Sequence, residues 1–300
     1  MAQTDPIANM DFSSFIQGYW RLADWNMSDQ ELVTFINEHV EVGIDWVDHA
    51  DIYGDYRSEA LFGKALKLDA SLRSQINIVT KCGIKLCSDQ FPERKINHYD
   101  TSAKHIQQSV DNSLTRLHTD YIDCLLIHRP DALMNADEVA QTFQQLYLSG
   151  KVLSFGVSNF TPSQFELLQS RMDHVLITNQ VELNPLNMDI LEDGTMDHLQ
   201  GLGIRPMIWS ALAGGGLFYG KTNQFVRIRN ELKTIAGEIG AATIDQVLYA
   251  WIRMLPVKPA ILLGTGKIER IRSAIRATEL TLNNEQWYRI WVAAKGHGVA

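Results

Sequence analysis

With 300 residues and 45% hydrophobic content, the chain is long enough for two ordinary domains or one large α/β barrel. Its formal net charge of -8, with no block of Lys and Arg, argues against a nucleic acid or a membrane surface as partner and for a small molecule. Cys82, Cys87 and Cys124 cannot all pair within the chain, the first residues show no basic stretch followed by an apolar signal core, and no apolar run reaches the roughly 18 residues of a membrane span, so a soluble, reduced, cytoplasmic protein is expected.

From Phe15 onward short β-rich runs alternate with longer helical patterns. Strands are predicted over residues 15–19, 44–48, 76–81, 121–128, 152–158, 175–180, 204–210 and 260–264. Helices are predicted over 29–42, 58–68, 101–117, 137–148, 162–170, 196–202, 226–239 and 268–277. A strand-then-helix unit repeated in this way predicts a single (β/α)8 TIM barrel over residues 1–300, with two additional helices at 244–255 and 285–294. Ser28 with Glu31, Thr161 with Gln164 (Pro162 at the first helical position) and Thr243 with Gln246 have capping-box spacing. An open doubly wound sheet is the competing architecture, but its Gly-x-Gly-x-x-Gly turn is missing, since the first strand runs into Gly18-Tyr19-Trp20-Arg21.

In a parallel barrel all C-terminal strand ends open onto one face, where the chemistry is done. Asp48 closes the second predicted strand and is followed by Tyr53; alone, they read as a turn-capping Asp and a packed aromatic. Lys81 changes that balance, because a lysine on a buried strand needs a paired charge, and Asp48 on the neighbouring strand is the expected partner. A nearby ammonium favours phenolate, so Lys81 is expected to lower the Tyr53 pKa from its usual value of about 10 and ready the phenol as a proton donor. His128, at the end of the fourth strand, reads alone as a satisfied strand-end histidine; on the same rim as Tyr53 it becomes a group able to orient a carbonyl.

These residues, together with Leu126-Ile127-His128-Arg129-Pro130-Asp131, Gly156-Val157-Ser158-Asn159-Phe160, Asn179-Gln180-Val181-Glu182 and Gly264-Thr265, resemble the aldo-keto reductase family over nearly the whole chain, in its bacterial short-loop oxidoreductase branch. The resemblance implies a catalytic tetrad of Asp48, Tyr53, Lys81 and His128: a reduced nicotinamide delivers hydride to a carbonyl carbon and Tyr53 protonates the oxygen. It implies that Ser158, Asn159 and Gln180 bind the nicotinamide carboxamide, that Trp209 stacks on the nicotinamide, and that Gly18, Tyr19, Trp20 and Thr265 border the cofactor. Ser210, Leu212 and Gly214 belong to a glycine-rich turn able to offer backbone amides to a pyrophosphate. Lys267 and Arg270, at the start of the last barrel helix, suit a phosphate, and the resemblance places Arg270 on the 2'-phosphate, so the expected cofactor is NADP(H). Trp209 as a buried barrel aromatic, the glycine run as a mobile loop and the basic helix face as merely solvated are the plain alternatives.

The chain departs from the family pattern at His49, where Thr or Ser is commoner, and at Ser273-Ala274, where an acidic residue and Asn usually meet the adenine. It ends soon after the last helix, without a long C-terminal loop to close the barrel mouth, which suggests a broad range of small carbonyl substrates with Trp20, Trp25 and residues after Pro130 as pocket wall. A monomer is expected. A metal-dependent hydrolase could draw on Asp48, His49, Asp51 and His128, but no His-x-His pair or second Cys pair accompanies them, and no metal is expected. A nucleotide-sensing regulatory module with little turnover is the alternative function.

Overall fold

The computed structural model describes residues 12–300. The expectations placed on residues 1–11, a chain start without a leader and the opening of the 1–300 domain, lie outside the described residues. The strands are β1 (Phe15–Gly18), β2 (Trp46–Asp48), β3 (Asn77–Cys82), β4 (Ile84–Lys85), β5 (His98–Tyr99), β6 (Cys124–Ile127), β7 (Phe155–Ser158), β8 (Leu176–Glu182), β9 (Met207–Trp209) and β10 (Ala260–Leu263). The helices are α1 (Asp29–Glu41), the single turn α2 (Tyr53–Tyr56), α3 (Ser58–Leu68), α4 (Ala103–Leu117), α5 (Ala136–Leu148), α6 (Pro162–Gln169), α7 (Thr195–Leu202), the short α8 (Gly216–Tyr219), α9 (Asn223–Ile239), α10 (Ile244–Arg253), α11 (Ile268–Arg276) and α12 (Asn284–Lys295). Eight of these strands close into a barrel in the order β1-β10-β9-β8-β7-β6-β3-β2, the predicted (β/α)8 architecture, with α10 and α12 as its additional helices. The chain groups into two compact units, the described part of Met1–Gln180 with Leu263–Ile268, and Val181–Leu262 with Glu269–Ala300.

Most ladders are shorter than the predicted runs, although β8 extends beyond its own to Glu182. In the run 121–128 only Cys124–Ile127 pairs as strand; ahead of it the Asp123 carboxylate instead takes the Ile78 amide at 2.8 Å and the Arg73 guanidinium at 2.7 Å. The hairpin of β4 and β5 was not foreseen, because two residues per strand leave no periodicity to detect. The boxes at Ser28/Glu31 and Thr161/Gln164 form as predicted. Thr243 makes no side-chain cap. Gln246 is buried, and its side chain turns to the Ala242 amide at 2.9 Å and to Ser273 at 3.1 Å.

Register positions the site. Asp48 pairs with Val79, and Lys81 lies two residues further along the same face of β3, so Asp48 and Lys81 point to one side with Lys81 nearer the C-terminal end. Cys82 pairs with Ile127, which puts His128 one step beyond the ladder, and Ser158 pairs with Gln180.

Outside the strands, α3 meets α4 at Gly63, where an added Cβ would lie 1.9 Å from the Arg116 carbonyl oxygen. Gly63→Ala is therefore expected to cost about 3 kcal/mol of stability through overpacking against backbone, measured as the shift in urea unfolding free energy.

Candidate active site

Lys81 is fully buried next to the C-terminal end of β3. Its ammonium donates to Asp48 Oδ1 at 2.7 Å, Asp48 Oδ2 at 2.8 Å, the His49 carbonyl at 2.8 Å and Tyr53 Oη at 2.9 Å. The Asp48 carboxylate, equally buried, also accepts from Gln180 Nε2 at 2.7 Å and from the Tyr53 hydroxyl at 3.4 Å. The His128 ring stands edge-on to Tyr53 with centroids 5.8 Å apart. Its backbone amide donates to the Cys82 carbonyl at 2.9 Å, while its buried Nδ1 has no hydrogen-bond partner among the described residues.

The electrostatics differ from the expectation that Lys81 depresses the Tyr53 phenol. Burial and the Asp48 carboxylate push the Tyr53 pKa well above its ordinary value. Burial lowers the Lys81 pKa, against the pull of Asp48. With the carboxylate bound to it through both oxygens, the ammonium leaves little net positive field for the phenol. His128 is driven well below the usual imidazole range by burial, then by Lys81 and Arg129. The site thus holds a protonated tyrosine beside a neutral histidine.

Ser158 Oγ donates to the Gln180 carbonyl at 2.8 Å and accepts from Asn159 Nδ2 at 2.7 Å, and Asn159 takes the left-handed conformation with φ 59°. These three residues and the tetrad come together in the first compact unit. Gly18 lies close to backbone there, its Cβ position 3.2 Å from the Leu263 carbonyl oxygen, and the Thr265 carbonyl accepts from Gln17 at 2.9 Å. Trp20 is exposed, with the Arg21 guanidinium 5.1 Å above its ring. The Tyr19 side chain is fully buried, stacked on His49 with centroids 4.9 Å apart and bonded through its hydroxyl to His39 Nε2 at 2.8 Å, which leaves its backbone as the part able to border a cofactor.

Trp209, Ser210, Leu212, Gly214 and Arg270 belong to the second unit. Trp209 ends β9 half-buried, and its carbonyl accepts from Leu183 at 3.4 Å. In the glycine turn, the Ala213 amide donates to the Ser210 carbonyl at 2.7 Å and the Gly215 amide to the Leu212 carbonyl at 2.9 Å, so those two amides are committed within the turn. Arg270 is exposed on α11, and Lys267, in the first unit, is exposed just before that helix. Within the first unit, Ser158, Asn159 and Gln180 are polar side chains of the kind that can recognise a carboxamide, and Lys267 is an exposed cation just before α11. Among the described residues no three His, Cys, Asp or Glu side chains gather as metal donors.

The sequence model described as the aldo/keto reductase family matches residues 15–294. The chain belongs to the aldo/keto reductase family. It is 53% identical over 289 residues to the oxidoreductase YdhF of Escherichia coli, covering 96% of each chain. It is 40% identical over 292 residues to a 6-dehydroglucose reductase of Agrobacterium fabrum, covering 97% of each. A solved thermostable aldo-keto reductase, crystallised with the inhibitor epalrestat, superimposes with a TM-score of 0.79 at 25% identity, covering 95% of this chain and 96% of that one. The protein is thus an oxidoreductase of the carbonyl-reducing family.

Two features escaped sequence reasoning. The side chain of Gln180, assigned to cofactor only, also donates to Asp48; its register beside Ser158 carries no sequence mark of that bond. His49 lies between Tyr19 and Phe62 with neither ring nitrogen hydrogen-bonded among the described residues, and burial, then Lys81, pushes its pKa down to about 3.

Removing one member of the buried ion pair strands the other. Lys81→Met is expected to destabilise the fold by about 3–5 kcal/mol, and adding Asp48→Asn to recover much of that loss, read from urea unfolding of the single and double variants.

Proposed function

We propose that the protein reduces an aldehyde or ketone to an alcohol, with hydride from NADPH and the proton from Tyr53. The observation that carries this reading is the Lys81 ammonium 2.9 Å from the Tyr53 hydroxyl and 2.7 Å from Asp48. When bound, the reduced nicotinamide supplies hydride to the carbonyl carbon. Negative charge then develops on the carbonyl oxygen, and Tyr53, protonated at rest, gives its proton to that oxygen. The phenolate left behind is stabilised by the Lys81 hydrogen bond, which strengthens as the charge on Tyr53 Oη grows. That order of events suits the high resting pKa: the proton stays on Tyr53 until an acceptor of rising basicity is in place. His128, uncharged, orients the carbonyl by hydrogen bonding without competing as an acid. By the family resemblance, Ser158, Asn159 and Gln180 would hold the carboxamide, Trp209 would offer an aromatic face to the nicotinamide, and Gly18, Tyr19, Trp20, Thr265, Ser210, Leu212 and Gly214 would border the nucleotide.

Arg270 and Lys267 give the reading its preference for NADPH over NADH, because a 2'-phosphate offers them a charge-assisted partner that NADH lacks. The kinship with a 6-dehydroglucose reductase supports a small hydroxylated aldehyde as substrate. We read residues 1–300 as one barrel domain acting as a monomer, and the three free cysteines support a reducing, cytoplasmic setting.

NADPH oxidation is followed with simple aromatic and hydroxylated aldehydes. Tyr53→Phe is expected to lose at least about a hundredfold in kcat while still binding NADPH, the size of a general-acid contribution. Wild-type protein that binds NADPH but turns over no aldehyde is instead a nucleotide-sensing module. Arg270→Ala is expected to raise the KM for NADPH by about tenfold or more and to leave that for NADH nearly unchanged, in steady-state titrations of both nucleotides.

A further inference from the structure

Behind the Asp48–Tyr53 link lies a polar cluster that the carbonyl chemistry does not use. Asp51 is buried, and its backbone amide donates to the Lys81 carbonyl at 3.1 Å, which fixes it between the two residues that share the proton-donating contact. Its side chain turns to α4, where Ser109 Oγ donates to Oδ2 at 2.7 Å; Oδ1 is buried without a hydrogen-bond partner among the described residues. Glu59, in the first turn of α3, is also buried and accepts from Thr80, the neighbour of Lys81, at 2.7 Å. The cation on this cluster is Arg116 of α4, 3.5 Å from Glu59 Oε2.

Two buried carboxylates with one partly exposed guanidinium, itself on Glu59, cannot both ionise cheaply, since desolvation and mutual repulsion favour keeping a proton on one of them. We propose that Asp51 and Glu59 together retain one proton near neutral pH and that this half-neutralised pair seats the Asp48–Tyr53 link, making Asp51 a positioning residue for the Tyr53 hydroxyl. The groups whose charge bears on Asp51 are Glu59 on α3, Arg116 on α4, Lys81 and Cys82 on β3, and Tyr53 on its own turn. In keeping with the geometry, burial and then Glu59 push Asp51 up to about 7, while Ser109 and Arg116 oppose. Glu59 is also raised by burial, held back by Thr80, Ser113 and Arg116. Ionising Asp51 beside Glu59 sets two like charges against each other at the base of the link, and the cheapest relief is to shift the link that carries Tyr53.

The positioning role rests on the reading of Tyr53 as proton donor; the shared proton does not. Urea unfolding of wild type, Asp51→Asn and Glu59→Gln is measured from about pH 5 to pH 8. Folded Asp51 keeps a proton that the unfolded chain releases above a pKa of about 4, so rising pH favours unfolding of wild type up to about 7, by as much as tenfold in the unfolding constant per pH unit. Asp51→Asn is expected to lack that increment and Glu59→Gln to end it at lower pH. Equal pH slopes in wild type and Asp51→Asn overturn the shared proton, whatever the protein turns over; if Asp51→Asn does not fold, an unmoved slope in Glu59→Gln does so. In NADPH-dependent aldehyde reduction, wild-type kcat is expected to fall about tenfold above pH 7 with KM unchanged, as a small displacement of an acid does. That limb should vanish in Asp51→Asn and move to lower pH in Glu59→Gln. A limb that persists in Asp51→Asn overturns the positioning role.

Discussion

A fully buried ammonium is the constraint around which this barrel end is arranged. Lys81 has three hydrogens and reaches four oxygens, two of them on Asp48. Such a charge survives burial only where geometry supplies near-complete compensation. The register of β2 against β3 supplies it by aiming Asp48 and Lys81 at one side, and the first peptide after β2 supplies a carbonyl. Asp48 in turn accepts from Lys81, Gln180 and Tyr53. The phenol is therefore held by a balanced ion pair, and burial together with the facing Asp48 carboxylate keeps its proton in place at rest.

Much of this was legible from residue order. A lysine closing an apolar strand, with an aspartate closing the strand before it, is a charge-pair prediction before any coordinates exist, and β-rich runs alternating with capped helices give the barrel. The strand ends were overestimated wherever an apolar run continued past the ladder, as at 121–128. Tyr19 shows a different limit. It adjoins the exposed Trp20 in the same motif, yet one residue of rotation sends its ring into the core and its hydroxyl to His39. The glycine turn shows a third, since flexible residues advertise amides but not whether the turn consumes them, as Ala213 and Gly215 do. The sign of the Tyr53 shift could not be read at all without knowing that Asp48 engages Lys81 through both oxygens.

His49 shows how a departure from the family pattern is absorbed. Its ring makes no hydrogen bond among the described residues and behaves as a flat aromatic, lying 4.9 Å from Tyr19 and 4.4 Å from Phe62. What the Lys81 ammonium needs from this position is the backbone carbonyl, which is indifferent to the side chain. The polar-to-aromatic change therefore leaves the charge centre intact while trading a hydroxyl for stacking area.

The glycine contact between α3 and α4 has an electrostatic side. Gly63 follows Glu59 by one helical turn on the same face, and the backbone it touches is that of Arg116 itself. Helix spacing and charge neutralisation are thus set by one atom that is missing. A side chain at position 63 would push on the Arg116 backbone and shift the guanidinium that faces Glu59, so the absence of a methyl group bears on the charge of a residue it never touches.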